Sequence, residues 1–234
     1  MKRLMVHFLV LAMVLAPVFG TAAKERVAPL EHDDLLAYLG NMQIEARLDA
    51  DVTGDGRVDV VYVASSAHQR VLGVVGGGAY TAQIGRRSIA QGTLDVSPHM
   101  PVTLGFKNGV LSVEDLTGTD AVTVSHYQYR YEKAHNRMRL FALACEQYSP
   151  TLSHGSRRLS WNLDKGVHIV EEGKVVTLDT GEDVYVYESE TRTSRKSAAV
   201  YMEDAPIPND LLVTGGIGQA SIANDALKQS MESP

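Results

Sequence analysis

Residues 48–62 read LDADVTGDGRVDVVY. Oxygen-bearing side chains recur at alternate positions and then give way to a β-branched run, the pattern of a cation-binding loop that feeds a strand. Asp51, Thr53, Asp55 and Asp59 fall at positions 1, 3, 5 and 9 of a loop whose sixth residue, Gly56, can take the sharp turn that lets its neighbours curl round one ion. Arg57, at the seventh position, would offer its backbone carbonyl. An overlapping register that turns at Gly54 makes Asp49 available as an extra ligand. Oxygen donors without His or Cys select calcium, Ca2+, over zinc or copper. The alternative is a solvated Asp/Gly turn between two strands. Against it, Asp49, Asp51, Asp55 and Asp59 would repel one another without a counter-charge.

Tyr62 stands at the twelfth position, where an EF-hand needs a bidentate Glu, and the residues that follow the loop read as a strand. Val58, Val60 and Tyr62 interleave with Val61 and Val63, so this strand is expected to be buried on both faces. Outward from it, residues 31–39 give a short helix. Strands are expected at 43–48, 71–75, 80–84, 102–106, 110–113, 121–131, 138–144, 159–163, 167–170, 175–178, 184–187 and 199–202. Asn108-Gly109 marks a type I′ hairpin. The alternation in 121–131 puts Tyr127, Tyr129 and Tyr131 on one face and His126, Gln128 and Arg130 on the other. Gly155, Gly166, Gly173 and Gly181 mark turns at meander spacing. The polar, basic stretch 189–197 reads as loose. The expected fold is all-β, an antiparallel meander of propeller-like or sandwich form with one short N-terminal helix, in a single domain over 24–214 followed by a tail over 215–234.

Residues 1–23 combine Lys2 and Arg3, an apolar run broken by Pro17, and small residues at Gly20, Thr21, Ala22 and Ala23. This is the order of a cleaved secretory leader, and it predicts a periplasmic mature protein with no membrane insertion after cleavage. Losing Lys2 and Arg3 removes two positive charges from a chain whose formal charge is already −6. Such a chain is unsuited to nucleic acid and suited to a basic protein partner. Its one cysteine, Cys145, lies in an apolar run and reads as a buried structural thiol.

Motifs for catalysis are not recognisable. Gly73 with Gly76, Gly77 and Gly78 lacks the Lys-Ser/Thr ending of a phosphate loop and reads as a flexible turn. Thr214 to Gly218 leaves too little chain for a dinucleotide unit. The histidines His32, His68, His99, His126, His135, His154 and His168 never fall at a short metal-ligand spacing. Acidic neighbours such as Glu171-Glu172 and Glu182-Asp183 face opposite sides of a strand, so a glycosidase pair would have to come from separated strands.

D-x-T-x-D-G-x-x-D followed by V-V-Y-V resembles the calcium hairpin of FG-GAP/VCBS-type repeats, with Thr53 where Asn or Asp is usual. One such loop is present, so a regular propeller with one loop per blade is not expected. Further blocks, Asn108 to Val113, Tyr127 to Tyr131, Arg137 to Leu140 and Leu159 to Leu163 with Gly166, resemble those of a family of small periplasmic calcium-loop proteins. Some of these are immunity proteins of bacterial-killing type IV secretion systems that inhibit a lysozyme-like peptidoglycan hydrolase. The resemblance implies a propeller-like β-fold, a bound calcium and a hydrolase as partner.

That role needs export and a rigid loop, and no catalytic set. On polarity and turn content, the candidate contact loops are 149–158, with Tyr148 and His154 placed to hydrogen-bond catalytic carboxylates, and 76–80. The rival readings are a non-enzymatic module that binds wall glycan or a surface protein and, behind it, a glycoside hydrolase.

Overall fold

The computed structural model describes residues 30–78, 87–194 and 198–214. The leader, the expected strand 80–84 and the tail lie outside these. After one short helix, α1 (His32–Leu39), the strands run β1 (Gln43–Ala50), β2 (Asp59–Ser65), β3 (Arg70–Val75), β4 (Ser88–Thr93), β5 (Thr103–Lys107), β6 (Val110–Thr117), β7 (Val122–Glu132), β8 (Arg137–Tyr148), β9 (Ser156–Asn162), β10 (Val167–Thr177), β11 (Asp183–Ser194) and β12 (Val200–Tyr201). A 3-10 turn at Met202–Asp204 and a second helix, α2 (Pro208–Thr214), follow. Among the described residues the fold is all-β and antiparallel, in two sheets that do not close into a barrel: a sandwich-like arrangement. Among the described residues no helix is long and apolar enough to cross a membrane.

Sheet A has the order β1-β2-β3-β4, and the eight-stranded sheet B runs β11-β10-β9-β8-β7-β6-β5 with β12 beside β8. The valines of β2 and β3 are buried on both faces, as their unbroken apolar run requires. Val61, Val63, Leu72 and Val74 face sheet B, where they join Leu111, Tyr127, Tyr129, Leu140, Leu143 and Trp161 in one core. On the other face Val60, Tyr62, Val71 and Val75 are covered by Leu35 of α1. Asp33 and Asp34 sit in the first turn of that helix, where the macrodipole favours them, and the Gly40 N–H closes it on the Leu36 carbonyl.

The sequence pattern is met at several points and overruled at others. Asn108 and Gly109 take φ of 53° and 75°, the geometry of the expected hairpin. Tyr127 and Tyr129 are buried with rings stacked at 6.0 Å, and burial pushes both hydroxyls above the usual tyrosine range. Cys145 is buried, its thiol pushed up to about 12. Gly73 is not part of a flexible turn: it lies in β3 directly opposite Tyr62, and a Cβ there would come within 2.2 Å of the Tyr62 ring. Gly173 is not a turn either, but follows a bulge inside the single long strand β10. Residues 189–194, expected to be loose, continue β11 against Val167 to Glu172.

The largest fully buried side chain among the described residues is a charged one, Arg70, the first residue of β3. Its Nε donates to both Glu45 oxygens at 3.0 Å, its Nη2 to Glu45 Oε2 at 2.8 Å, and its Nη1 to Asp115 Oδ2 at 3.0 Å and to the Asp95 carbonyl at 3.1 Å. Glu45 is the extra residue where the β1–β2 register slips between Ile44 and Ala46, and the bulge is what re-aims it. From Asp95 the network continues through Asn209 of α2, whose Oδ1 accepts from Thr123 Oγ1 at 2.6 Å. Both sheets and the C-terminal helix are thereby tied to one guanidinium.

Burial raises the Glu45 carboxyl, but hydrogen bonds from Arg70 and Ser65 and the charges of Arg70 and His99 outweigh it and hold the group below its usual value of 4.5. For Asp115 burial wins over Arg70 and the pKa is raised. Glu45 therefore stabilises the fold above pH 4.5 and ceases to do so as the pH falls through its folded pKa. The Asp115 contribution has the opposite sign, present below 3.8 and lost as the pH rises.

Replacing Arg70 by Met leaves two carboxylates without their counter-charge. The expected cost is about 3–5 kcal/mol, read as a lowered urea midpoint at neutral pH, with partial recovery when Glu45→Gln and Asp115→Asn are added.

Candidate functional site: the Asp51 loop and the 149–155 edge

The β1–β2 connection coils on itself. Asp51 Oδ1 accepts from the Asp55 N–H at 3.0 Å and Oδ2 from the Gly56 N–H at 2.8 Å, while Asp55 Oδ1 accepts from the Arg57 N–H at 2.8 Å. Gly56 takes φ of 81°, the left-handed turn expected of the sixth position. Asp59, fully buried, closes the loop at its base: Oδ2 accepts from the Thr53 N–H at 2.9 Å and Oδ1 from the Gly77 N–H at 2.8 Å. Burial raises the Asp59 pKa, with Asp55 adding to it and the two backbone donors opposing. Asp49 is a strand residue paired with Arg47 at 2.9 Å on the surface.

The donors suit a hard cation in kind. All are oxygens, and Thr53 Oγ1 is buried without a hydrogen bond of normal geometry, although it lies close enough to Asp59 to favour the ionised carboxylate. The Asp51 and Asp59 oxygens engaged with backbone donors each retain a second lone pair. Among the described residues no three Asp, Glu, His or Cys side chains converge as a ligand set, so in this conformation the loop is closed by its own hydrogen bonds. Beside it opens a cleft of about 370 Å³ whose lining includes Asp51, Thr53 and Gly54, Phe106 and Gly109 of the β5–β6 hairpin, and Tyr131 of β7.

The second element is the connection after β8. Tyr148 ends that strand opposite Val122 and is half-buried. Ser149, 2% exposed, organises the loop: its Oγ lies 3.1 Å from Thr151 Oγ1 and 2.9 Å from Ser153 Oγ, and accepts from the Ser153 N–H at 3.1 Å. Tyr185 of β11 locks it from the side. Its hydroxyl accepts from the Ser149 N–H at 2.9 Å and shares its proton between the carbonyls of Ser149, at 3.1 Å, and His154, at 3.0 Å. The exposed His154 ring has Nδ1 2.7 Å from the Gly155 carbonyl, which makes Nδ1 the donor and Nε2 the acceptor of the neutral ring.

Next along β11, the Tyr187 hydroxyl donates to Glu146 Oε1 at 2.7 Å and accepts from Ser156 Oγ at 2.8 Å, under the Arg158 guanidinium at 3.8 Å. These two tyrosines read in sequence only as strand residues; the V-Y-V-Y alternation at 184–187 was their signal. Tyr148 and His154 are thus brought to one end of sheet B. Of the other candidate contact loop, 76–80, Gly77 and Gly78 are buried, with the Gly77 N–H on Asp59, and residues 79 and 80 lie outside the described residues.

No known family model matches this chain, nor does any curated protein or solved structure.

Tyr185→Phe removes the hydroxyl that holds two carbonyls and an amide. A loss of about 1–3 kcal/mol is expected, with amide exchange accelerating within residues 149–155 and little change in sheet A.

Proposed function

We propose that the mature chain is a periplasmic, calcium-binding protein of immunity type that inhibits a lysozyme-like peptidoglycan hydrolase and is not itself an enzyme. The observation that carries this reading is the 149–155 loop. It is short and polar, and it is fixed before any partner arrives by Ser149 and Tyr185, with His154 exposed. A loop so preordered loses little conformational entropy on entering a cleft. The acidic chain would approach a basic hydrolase with a favourable long-range field. The resemblance to calcium-loop immunity proteins of type IV secretion systems points the same way.

In this reading Asp51, Thr53, Asp55 and Asp59 side chains and the Arg57 carbonyl hold calcium, which fixes the loop framework and supplies no chemistry. A second reading, a wall-glycan binding module, draws on the cleft beside the loop, where Phe106 and Tyr131 offer apolar faces near the Asp51 carboxylate.

Turbidity clearing of purified cell walls by a lysozyme-like hydrolase should fall stoichiometrically when the mature chain is added. His154→Ala or Tyr148→Ala should weaken inhibition without lowering the melting midpoint. Clearing that continues undiminished, with retention of the chain on purified peptidoglycan, selects the glycan module instead.

For the metal, saturating calcium at about a hundred times Kd adds about 2.7 kcal/mol, a rise of about 5–10 °C in Tm over the chelator-treated chain. Asp55→Ala should remove the difference between the two buffers.

A further inference from the structure

Among the described residues, the far end of the β10–β11 pair has no third strand. β9 accompanies β10 only from Val167 to Gly173, where Gly173 meets Ser156, whereas β10 and β11 stay paired out to Thr177 and Asp183. Beyond Gly173 the two strands form a ribbon with unlike faces. One carries Val175 and Tyr185, the latter locked onto the 149–155 loop. The other carries Val176 opposite Val184 and Val186 opposite Lys174, with Leu178 at the turn. Val176, Val186 and Leu178 are 37%, 37% and 42% exposed, and β11 ends its sheet with no strand on its outer edge among the described residues.

An exposed strand edge beside an apolar stripe is a template for another strand, and proteins that do not use one ordinarily blunt it. The charges here choose the occupant. Lys174 is neutralised by Glu188 at 2.8 Å, which leaves Asp179, Glu182 and Asp183 at the tip without a basic residue between Lys174 and Glu188. A second copy paired antiparallel over residues 182–188, a segment with acidic and no basic side chains, would set Glu182 against Glu188. An extended segment bearing Lys or Arg would meet them favourably while its alternate apolar side chains lay beside Val184 and Val186.

Resting on the inhibitor reading above, we propose that the outer edge of β11 receives an extended basic strand of the hydrolase, so that the enzyme is held by strand addition while the adjoining 149–155 loop faces its cleft. The loop packs on the face opposite Val184 and Val186 and is fixed to the ribbon through Tyr185, so the strand edge and the loop keep a set spacing.

The test uses the mature full-length chain and a synthetic ten-residue peptide of alternating Val and Lys. Its controls are a Val-Glu peptide and a Val-Lys peptide with alternate backbone nitrogens methylated. The Val-Lys peptide should bind and slow amide exchange along residues 184–188. Both controls should fail, and Glu182→Lys with Glu188→Lys should weaken binding about tenfold. In the wall-clearing assay the same double variant should inhibit less well.

Equal binding of the methylated peptide, protection elsewhere in the chain, dimerisation through β11 or no binding at all would overturn the proposal. So would undiminished inhibition by the double variant. Each of these leaves the inhibitor reading intact wherever the wild type still blocks clearing, whereas a wild type that never inhibits removes that reading separately.

Discussion

A fully buried guanidinium is tolerable only if its donors are met, and Arg70 meets this condition through groups that lie far apart in the chain. Glu45 comes from β1, Asp115 from β6 and the Asp95 carbonyl from the β4–β5 connection. None of the three could move without leaving charge or a lone pair stranded in the core. The β1 bulge follows from this requirement, since an unbroken β1 register would not give Glu45 its place as the extra residue. So does the face-to-face setting of the sheets, which brings a carboxylate of sheet B to an arginine of sheet A. Apolar packing alone would allow the sheets to slide; the buried ions favour one alignment.

Period-two alternation made the central strands legible. Tyr127 and Tyr129 face inward because residues two apart share a face, and the β-branched run after Asp59 is buried twice because α1 and sheet B cover its two sides. What the pattern concealed was long-range. Gly173 looked like a turn because glycine punctuates chains, yet it lies inside β10, where a Cβ would meet Ser156 Oγ at 2.4 Å and the Tyr187 ring at 2.9 Å. Residues 189–194 looked loose because their side chains are polar, but an edge strand needs only backbone partners. β4 has little hydrophobic alternation, and the helix Pro208–Thr214 spans seven residues whose buried Leu211 and Leu212 depend on strands distant in sequence. Arg70 gave no signal at all, because a lone arginine before a strand is ordinarily solvated.

The Asp51 loop was legible in its spacing, since a Gly at the sixth position and Asp at the first dictate local hydrogen bonds that the backbone then makes. Asp59 has a fuller role than spacing implied, joining the loop to Gly77 across sheet A. The other edge was only half legible. His154 and Tyr148 were visible as polar loop residues, but the order of that loop comes from Tyr185, a residue more than thirty positions on, for which sequence offers no pairing rule.

The side of β8 that faces away from β7 is shared. Residues 142–147 pair with β9, while Leu140 and Arg139 pair with Val200 and Tyr201 of β12. Met202 then enters the core, and Asn209 reaches back 114 positions to Asp95. Contacts of such sequence separation close large loops and form late. Synthesis delivers β1 to β11 before the segment, β12 included, that seals the seam between the sheets. A nascent chain still lacking residues 200–212 holds its core open beside β4 and β8, and native closure waits for that segment to emerge.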